Sequence, residues 1–391
     1  MKLLNEARHL IKDNIRDYGM YIALIVIMII FSILTDGLFM SSRNISNLLD
    51  SAGYIAVLAV GVMLVIVIRH IDLSIGFLAG FLGAIAAILL MHVGWPVYVV
   101  IPIILVLGIL AGSATGFLVA KVGIPAFVAT LAGWLIYRGA ILLATEKSGT
   151  IIINNDAFNA IGNGYIPSLM IVNGVHLLSL LIGILAIIFY IYSTIRTRRN
   201  KIKYNFEVVS KEIFILQLIF VSAIIGYITW ILSSYNGLSW TVVIMLFVVI
   251  VYHIITTKTV LGRHIYAVGS NPEAAHLSGI SVSKITFLVF GSMGMLSALS
   301  GILFTSRLQS ATTTAGTLFE LDAIAAAFVG GVSAAGGVGK VTGAIIGALV
   351  MATLTNGMNL MGVGIAPQYI IRGGVLALAV IFDVLTRRKR A

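Results

Sequence analysis

Long apolar runs recur along this chain and constrain its fold more than any other feature. Runs of about 17 to 25 residues have the length that a helix needs to cross a bilayer. Of the 391 residues, 60% are hydrophobic and 10% are charged, whereas a soluble protein carries about 25% charged residues. The 40 glycines among the runs suit packed helices better than a barrel of alternating strands. The sequence therefore predicts an all-α, polytopic helical membrane bundle.

The runs predict about twelve transmembrane helices in a single domain, residues 1–391, with no length left for a sizeable soluble domain. Ten or eleven crossings would remain if a short segment only dips into the bilayer. The first run follows acidic as well as basic residues and lacks a small-residue cleavage site, so it is a retained span rather than a signal peptide. The predicted spans are residues 18–34, 48–68, 76–92, 97–120, 127–144, 175–195, 213–232, 239–255, 285–305, 320–335, 341–358 and 368–385.

The positive charges lie in loops and at the chain ends. The net charge is +11, and most Lys and Arg residues fall in four segments, which is the positive-inside pattern. Both termini are therefore predicted to be cytoplasmic, and the charge predicts a membrane surface rather than nucleic acid as its partner. The four segments are the N-terminal segment (1–17), a basic loop (196–212), a second cytoplasmic loop (257–284) and the C-terminal tail (386–391). The N-terminal segment is either an amphipathic helix or a solvated tail.

The second cytoplasmic loop contains the signals of a short helix. Asn271 is a favourable N-cap, Pro272 suits the first helical position, and Glu273 faces the positive end of the helix. Gly279 can close the other end. About two turns of helix result, and such a helix is marginal alone in water. The pattern therefore indicates either an ordinary capped loop or a helix on which another protein packs.

Two further segments place ionisable residues beside predicted spans. Arg69 and Asp72 are three residues apart, so on a helix they could neutralise each other within a tight turn. The alternative is a break between half-helices, ending near Ser74, beside a translocation path. Glu320 and Asp322 begin an Ala- and Gly-rich segment, where they either cap a helix or start a broken, re-entrant helix that lines a water-filled path.

Three stretches of this chain resemble the permease subunits of bacterial ABC-type monosaccharide importers. They are the loop 257–280, the segment 71–76, and the segment 320–331 with its sequel 335–339. The resemblance runs from about residue 43 to residue 383, in the family's order. By length and by an additional hydrophobic pair in the middle, the chain is most similar to the xylose-type permeases.

The resemblance implies a membrane subunit that is not itself an enzyme and needs no cofactor or metal. It implies a tandem ATP-binding subunit, an extracytoplasmic sugar-binding protein that uses the long outer loop 146–174, and a second copy of the permease. It also implies alternating access, with the path near Asp72, Ser74, Glu320 and Asp322. The helix that enters the ATPase would comprise Asn271, Pro272, Glu273, Ala274, Ala275, His276, Leu277, Ser278 and Gly279.

Motifs of other chemistries are missing from the sequence. The stretch 336–341 falls short of a phosphate-binding loop because Ala334 and Val341 replace the required Gly and Ser or Thr. No HExxH or GxSxG pattern occurs, and the absence of Cys excludes disulfides and thiolate metal sites. ATP hydrolysis would therefore need a separate subunit.

Other transporter classes remain open from the sequence. An ion-coupled secondary transporter would place carboxylates at mid-membrane depth in paired repeats, whereas most acidic residues here lie in loops or near span ends. Within the ABC class, the substrate could be a nucleoside, a signalling sugar or a branched-chain amino acid instead of a pentose or hexose.

Overall fold

The computed structural model describes residues 15–146, 148–168, 171–172, 174–206 and 208–388. Most of the predicted N-terminal segment 1–17, and the last three residues of the tail 386–391, lie outside this range. Within it the chain is mainly helical, with short strands in two antiparallel pairs, β1 with β4 and β2 with β3. The strands are β1 (Thr150–Ile152), β2 (Ile171–Val172), β3 (Val175–His176) and β4 (Ser310–Thr312).

The described part of the chain contains fifteen α-helices. They are α1 (Ile15–Leu34), α2 (Ser42–Val67), α3 (Ile75–Met91), α4 (Val97–Phe117), α5 (Ala126–Thr145), α6 (Asp156–Asn163), α7 (Leu177–Lys203), α8 (Lys211–Ser233), α9 (Trp240–Lys258), α10 (Val260–Ser270), α11 (Pro272–Leu277), α12 (Val282–Leu308), α13 (Phe319–Val329), α14 (Val341–Leu360) and α15 (Ile365–Arg388).

Nine of these helices are long and apolar enough to cross a membrane, counting only described residues. Two more apolar helices, α1 over Gly19–Leu34 and α3, are somewhat shorter. This architecture confirms the polytopic helical membrane bundle, while the exact number of crossings and the side of the termini stay predictions.

The predicted tenth span, 320–335, is wrong in extent. The helix α13 ends at Val329 after 11 residues, which gives a length of about 16 Å against a hydrocarbon core of about 30 Å. Its apolar composition continues past that point, but Gly331 has a φ of 84° and turns the chain out of the helix. The residues that follow form an irregular Gly-rich loop, 330–340.

The centre of the bundle is α2, which is 89% buried over its apolar window. Glycines bring neighbouring helices to backbone contact. A β carbon at Gly108 or Gly112 would collide with the backbone of α12, and one at Gly347 would collide with the carbonyl oxygen of Ala326 in α13. Small residues therefore let α4 and α14 pack against their partners without intervening side chains.

The helices α7 and α8 form a hairpin at the edge of the bundle. Each is only 11% buried over its apolar window, and both carry many exposed apolar side chains, as expected for lipid contact. The helix α7 continues to Lys203, so much of the predicted basic loop 196–212 is helical. The described residues between the two helices, 204–206 and 208–210, are not helical.

The two ends of the bundle differ in what they hold. We call one end the basic face. It holds α10, α11 and the segment 118–126, and it contains the loop 257–284 and Lys121. The segment 118–126 and the α11–α12 connection line the same cavity. The other end, which we call the opposite face, holds α6 and the β1–β4 pair, where Ile151 is aligned with Ala311. The predicted coupling helix and the long loop 146–174 therefore lie on different faces.

Candidate coupling helix and translocation path

The predicted short helix forms at the predicted residues. The side chain of Asn271 accepts a hydrogen bond from the backbone N–H of Ala274 at 3.0 Å, and Pro272 occupies the first turn. At the other end, the N–H of Gly279, whose φ is 82°, bonds the carbonyl of His276 at 2.9 Å. Both ends of α11 are therefore closed by local interactions that the sequence specifies.

The surface of α11 is almost entirely free of contact with the rest of the chain. Only Ala275 is buried, at 4% exposure. Leu277 is 87% exposed, and Glu273 and His276 are exposed beside it. The helix therefore presents an apolar side chain, a carboxylate and an imidazole together on the basic face.

A cavity of about 720 Å³ separates α11 from the turn 118–126. His276, Gly279 and Ile280 line one side, and His70 lies on another. The basic face thus combines a protruding helix with an adjacent concave surface.

The segment 68–74 is a non-helical break between α2 and α3, and its place beside a translocation path stays a prediction. Asp72 is buried, and its Oδ1 atom accepts hydrogen bonds from the Oγ and backbone N of Ser74 at 2.6 and 2.9 Å. The Arg69–Asp72 ion pair, which belonged to one of the two sequence interpretations, does not form. Arg69 has a φ of 66°, which directs its side chain away from Asp72 and towards the end of α10.

Glu320 lies close to the start of α3. It is 5% exposed, its Oε1 atom accepts a hydrogen bond from Nε1 of Trp134 at 3.1 Å, and its Oε2 atom has no hydrogen-bond partner. A β carbon at Gly76 would collide with this carboxylate. Because Gly76 follows Ser74 by two residues, the segments predicted around 72–74 and 320 do meet in the fold.

Asp322 has a different environment from Glu320. Its carboxylate pairs with Arg372 of α15 at 3.1 Å, and the two side chains are 21% and 19% exposed. The structure therefore brings together Asp72, Ser74 and the neighbourhood of Glu320, and places Asp322 in an ion pair of its own on the side of α15.

Several residues of this region were missed by the sequence interpretation. Trp134 and Phe77 make an edge contact with centroids 4.9 Å apart, and the guanidinium of Arg138 lies 5.0 Å from the Phe77 ring. Arg138 also donates to the carbonyl oxygen of Thr313 at 2.9 Å. A charged residue inside an apolar run is costly and usually functional, so Arg138 and Arg372 could have been selected on that ground.

On the opposite face, the loop 146–174 is held to the bundle by Arg307 at the end of α12. Its guanidinium donates to Oδ1 of Asn163 at 3.1 Å and to Oδ1 of Asn47 at 3.2 Å. It also lies 3.8 Å from the buried carboxylate of Asp50, which Ser239 contacts through its hydroxyl. The described part of this loop contains β1 and α6, and these contacts fix α6 to the bundle.

Among the residues that the structure describes, no group of three His, Asp or Glu residues could hold a metal ion. The polar groups instead lie at helix breaks and helix ends, which suits a conduit and its control elements.

Comparison with known proteins decides the family. A family model described as the permease component of branched-chain amino acid transport systems matches residues 44–380. The chain belongs to this family. Permease components of this family are transport subunits, and the ABC class implies an ATPase subunit and a substrate-binding protein as partners. Together with the apolar helices, membership makes the chain a multi-pass protein of the bacterial inner membrane.

Curated relatives of this permease are named as sugar transporters, which confirms the resemblance found in the motifs. The xylose transport system permease protein of Escherichia coli K12 is 38% identical over 376 residues, covering 96% of this chain and 93% of the relative. Its Haemophilus influenzae counterpart is 39% identical over 377 residues, with 96% and 98% covered. The ribose import permease protein of Haemophilus influenzae is 35% identical over 366 residues, with 93% and 91% covered. No solved structure matches the permease.

Proposed function

We propose that this permease is the membrane subunit of an ATP-driven, binding-protein-dependent monosaccharide importer, and that its sugar is xylose or a related pentose or hexose. The observation that carries the proposal is the near-full-length similarity to xylose permeases, with 96% of the chain aligned. Similarity to the ribose permeases is lower, at 35% identity, which makes xylose the first sugar to test.

The coupling element of this importer is α11. A separate, tandem ATP-binding subunit would receive Pro272–Leu277 in its cleft, contacting the exposed Glu273 and Leu277. ATP binding would close the ATPase and move α11 relative to the membrane. Nucleotide and sugar can drive this cycle only by binding one conformation more tightly than the other.

The path runs between two permease copies and passes the breaks in α2–α3 and before α13. Irregular backbone is tolerated at membrane depth only where protein or water satisfies it, and the segment 68–74 and the turn before Phe319 have this character. Sugar hydroxyls need hydrogen-bonding side chains and aromatic faces, which Asp72, Ser74, Glu320 and Trp134 provide. Asp322 would fix α13 against α15 through Arg372.

The opposite face would receive the sugar-binding protein. The loop 146–174 contributes β1 and α6 to this face, and Arg307 joins α6 to α12 and α2 through Asn163 and Asn47. A loop of this length is more often functional than the usual connection of about four to six residues. Docking at this loop would place released sugar above the break that precedes α13.

The test is transport in proteoliposomes that contain the permease and its ATPase, with binding protein added outside. Uptake is measured for xylose, ribose, arabinose, galactose and glucose, with leucine and a nucleoside as the other candidate substrates. We expect uptake of one pentose or hexose that requires both ATP and the binding protein. Uptake that persists without ATPase and collapses with the proton or sodium gradient would refute the proposal.

Variants of α11 test the coupling assignment in the same vesicles. Ala275→Pro removes the N–H that bonds the carbonyl of Asn271 at 3.0 Å and should abolish ATP-coupled uptake, while Ala275→Ser serves as the matched control that keeps the helix. Glu273→Lys reverses an exposed charge and should also stop uptake. Normal uptake by Ala275→Pro would remove the coupling role from α11.

A further inference from the structure

Arg69 connects the break in α2–α3 to the helix that precedes α11. Its Nε donates to the carbonyl oxygen of Gly269 at 2.7 Å, and its second guanidinium nitrogen donates to the carbonyl oxygen of Ser270. These carbonyls end α10, where the unpaired oxygens of a helix carry partial negative charge. A planar guanidinium with several donors suits this pair of acceptors better than an ammonium group does.

The Gly-rich loop 330–340 meets the same place from the other side. The N–H of Gly337 donates to the carbonyl of Val67, the last residue of α2, at 2.8 Å. A β carbon on Gly336 would collide with the side chain of Arg69, and one on Gly269 would collide with the carbonyl oxygen of Val67. Three segments distant in sequence therefore touch through their backbones, and glycine is required for the contact.

We call this contact the Arg69 junction, and define it by Val67, Arg69, Gly269, Ser270, Gly336 and Gly337. Two further bonds hold it. The hydroxyl of Tyr266 on α10 donates to the carbonyl of Gly339 at 2.7 Å, and Asp383 of α15 accepts from the backbone N of Ala334 at 3.2 Å. The loop is therefore fixed to α10 and to α15 as well as to α2.

Each of the three segments leads directly to an element of the proposed mechanism. Beyond Ser270, the chain enters α11 after the single residue Asn271. Beyond Arg69, it reaches Ser74 in five residues. The helix α13 directly precedes the loop 330–340 in the chain, and its first turn carries Glu320. A displacement of α11 must therefore either move both polar elements of the path or break the junction.

We propose that Arg69 is the positioning residue that transmits movement of α11 to the break 68–74 and, through the Gly-rich loop 330–340, to α13. This inference rests on the proposed function of α11 as the ATPase contact. It also gives the loop 330–340 a role that its failed match to a phosphate-binding loop leaves open. Its glycines allow close contact with Arg69 and with the end of α10, in place of the nucleotide contact of a phosphate-binding loop.

The experiment compares wild type, Arg69→Gln and Arg69→Lys in proteoliposomes with ATPase and binding protein. Three quantities are measured: ATPase retained on the purified permease, basal ATP hydrolysis, and sugar imported per ATP hydrolysed. Arg263→Gln is the matched control, because Arg263 is an exposed arginine of α10 outside the junction. Gly269→Ala disrupts the Arg69 junction from the α10 side. Its control is Gly373→Ala, because Gly373 has open space around it.

We expect Arg69→Gln to retain the ATPase and its basal hydrolysis but to import about tenfold less sugar per ATP, because the neutral amide loses the charge-assisted hydrogen bonds to the carbonyl oxygens of Gly269 and Ser270. The ratio of sugar to ATP in Arg69→Lys should fall between those of wild type and Arg69→Gln, because an ammonium group is one compact donor where the planar guanidinium offers several. Gly269→Ala should lower the same ratio, and both controls should leave it unchanged.

Two results would overturn the inference. One is a wild-type ratio of sugar to ATP in Arg69→Gln, and the other is a parallel loss of assembly, hydrolysis and uptake, which would mean that Arg69 only holds the fold. If Arg69→Gln cannot be recovered from the membrane, Arg69→Lys takes its place. A wild-type ratio of sugar to ATP in Arg69→Lys, or a parallel loss of assembly, hydrolysis and uptake, would then overturn the inference. Failure of the wild type to couple uptake to ATP would instead overturn the proposed function, and this inference with it.

Discussion

The N-cap of α11 gives a quantitative test of whether its helical form is what the ATPase recognises. Asn271→Ala removes one hydrogen bond, from the N–H of Ala274 to Oδ1 at 3.0 Å. Loss of such a cap costs about 1 kcal/mol. The helix has six residues and a single buried side chain, Ala275, so little else holds it, and a helix this short is marginal in water.

Because the helix is near balance, the lost cap should lower its population by up to about fivefold. The apparent dissociation constant of a partner rises by the same factor as the binding-competent fraction falls. Ala275→Pro removes an internal hydrogen bond and adds a steric clash, at a cost of about 3 kcal/mol or more. This should weaken binding by more than about a hundredfold.

The assay is titration of the nucleotide-free ATPase onto permease reconstituted in nanodiscs. Asn271→Asp retains the capping oxygen and should bind like wild type. Ser41→Ala is the matched control on the opposite face, where Ser41 caps α2 through the N–H of Asn44 at 3.4 Å, and it should leave ATPase binding unchanged. Equal weakening by Asn271→Ala and Asn271→Asp would show that Asn271 contacts the partner directly, and the capping argument would be refuted.

Three further outcomes are expected from the contacts described. Gly76→Ala forces a β carbon into the Glu320 carboxylate and should cost about 1 to 3 kcal/mol of stability, measured as a lower melting temperature. Gly139→Ala is its control and should leave the melting temperature unchanged, because Gly139 has open space around it. Asp322→Asn leaves Arg372 without its partner and should destabilise by about 3 kcal/mol; adding Arg372→Gln should restore part of this loss. Arg307→Gln should make the loop 146–174 more sensitive to protease, measured in right-side-out vesicles.

Much of the helical architecture could be read from the sequence because apolar length and positive charge act locally. The predicted span 341–358 corresponds to Val341–Leu360, and 213–232 corresponds to Lys211–Ser233. The caps of α11 were also predictable, since Asn271 and Gly279 act within a few residues of themselves. Where the controlling interaction is local, residue type and spacing were sufficient.

The misses share a different cause. The spacing of Arg69 and Asp72 left an ion pair between them open as one of two interpretations. Arg69 instead bonds the carbonyls of Gly269 and Ser270, about 200 residues away, which no local pattern reveals. The end of α13 at Val329 was missed because an apolar, Ala-rich composition continues past the glycine that turns the chain. The contact of Trp134 with Glu320 is likewise set by packing between α5 and α13.

The edge hairpin of α7 and α8 has a consequence for how this permease can vary. It adds two helices in succession, so the chain returns to the face from which it departed, and every later element keeps its side of the membrane. In α7 only Ser179 and Gly183 are buried, and most of the other residues are exposed. An inserted pair of this kind can be gained or lost, or can acquire contacts in the lipid plane, without reversing the orientation of α11 or of the loop 330–340.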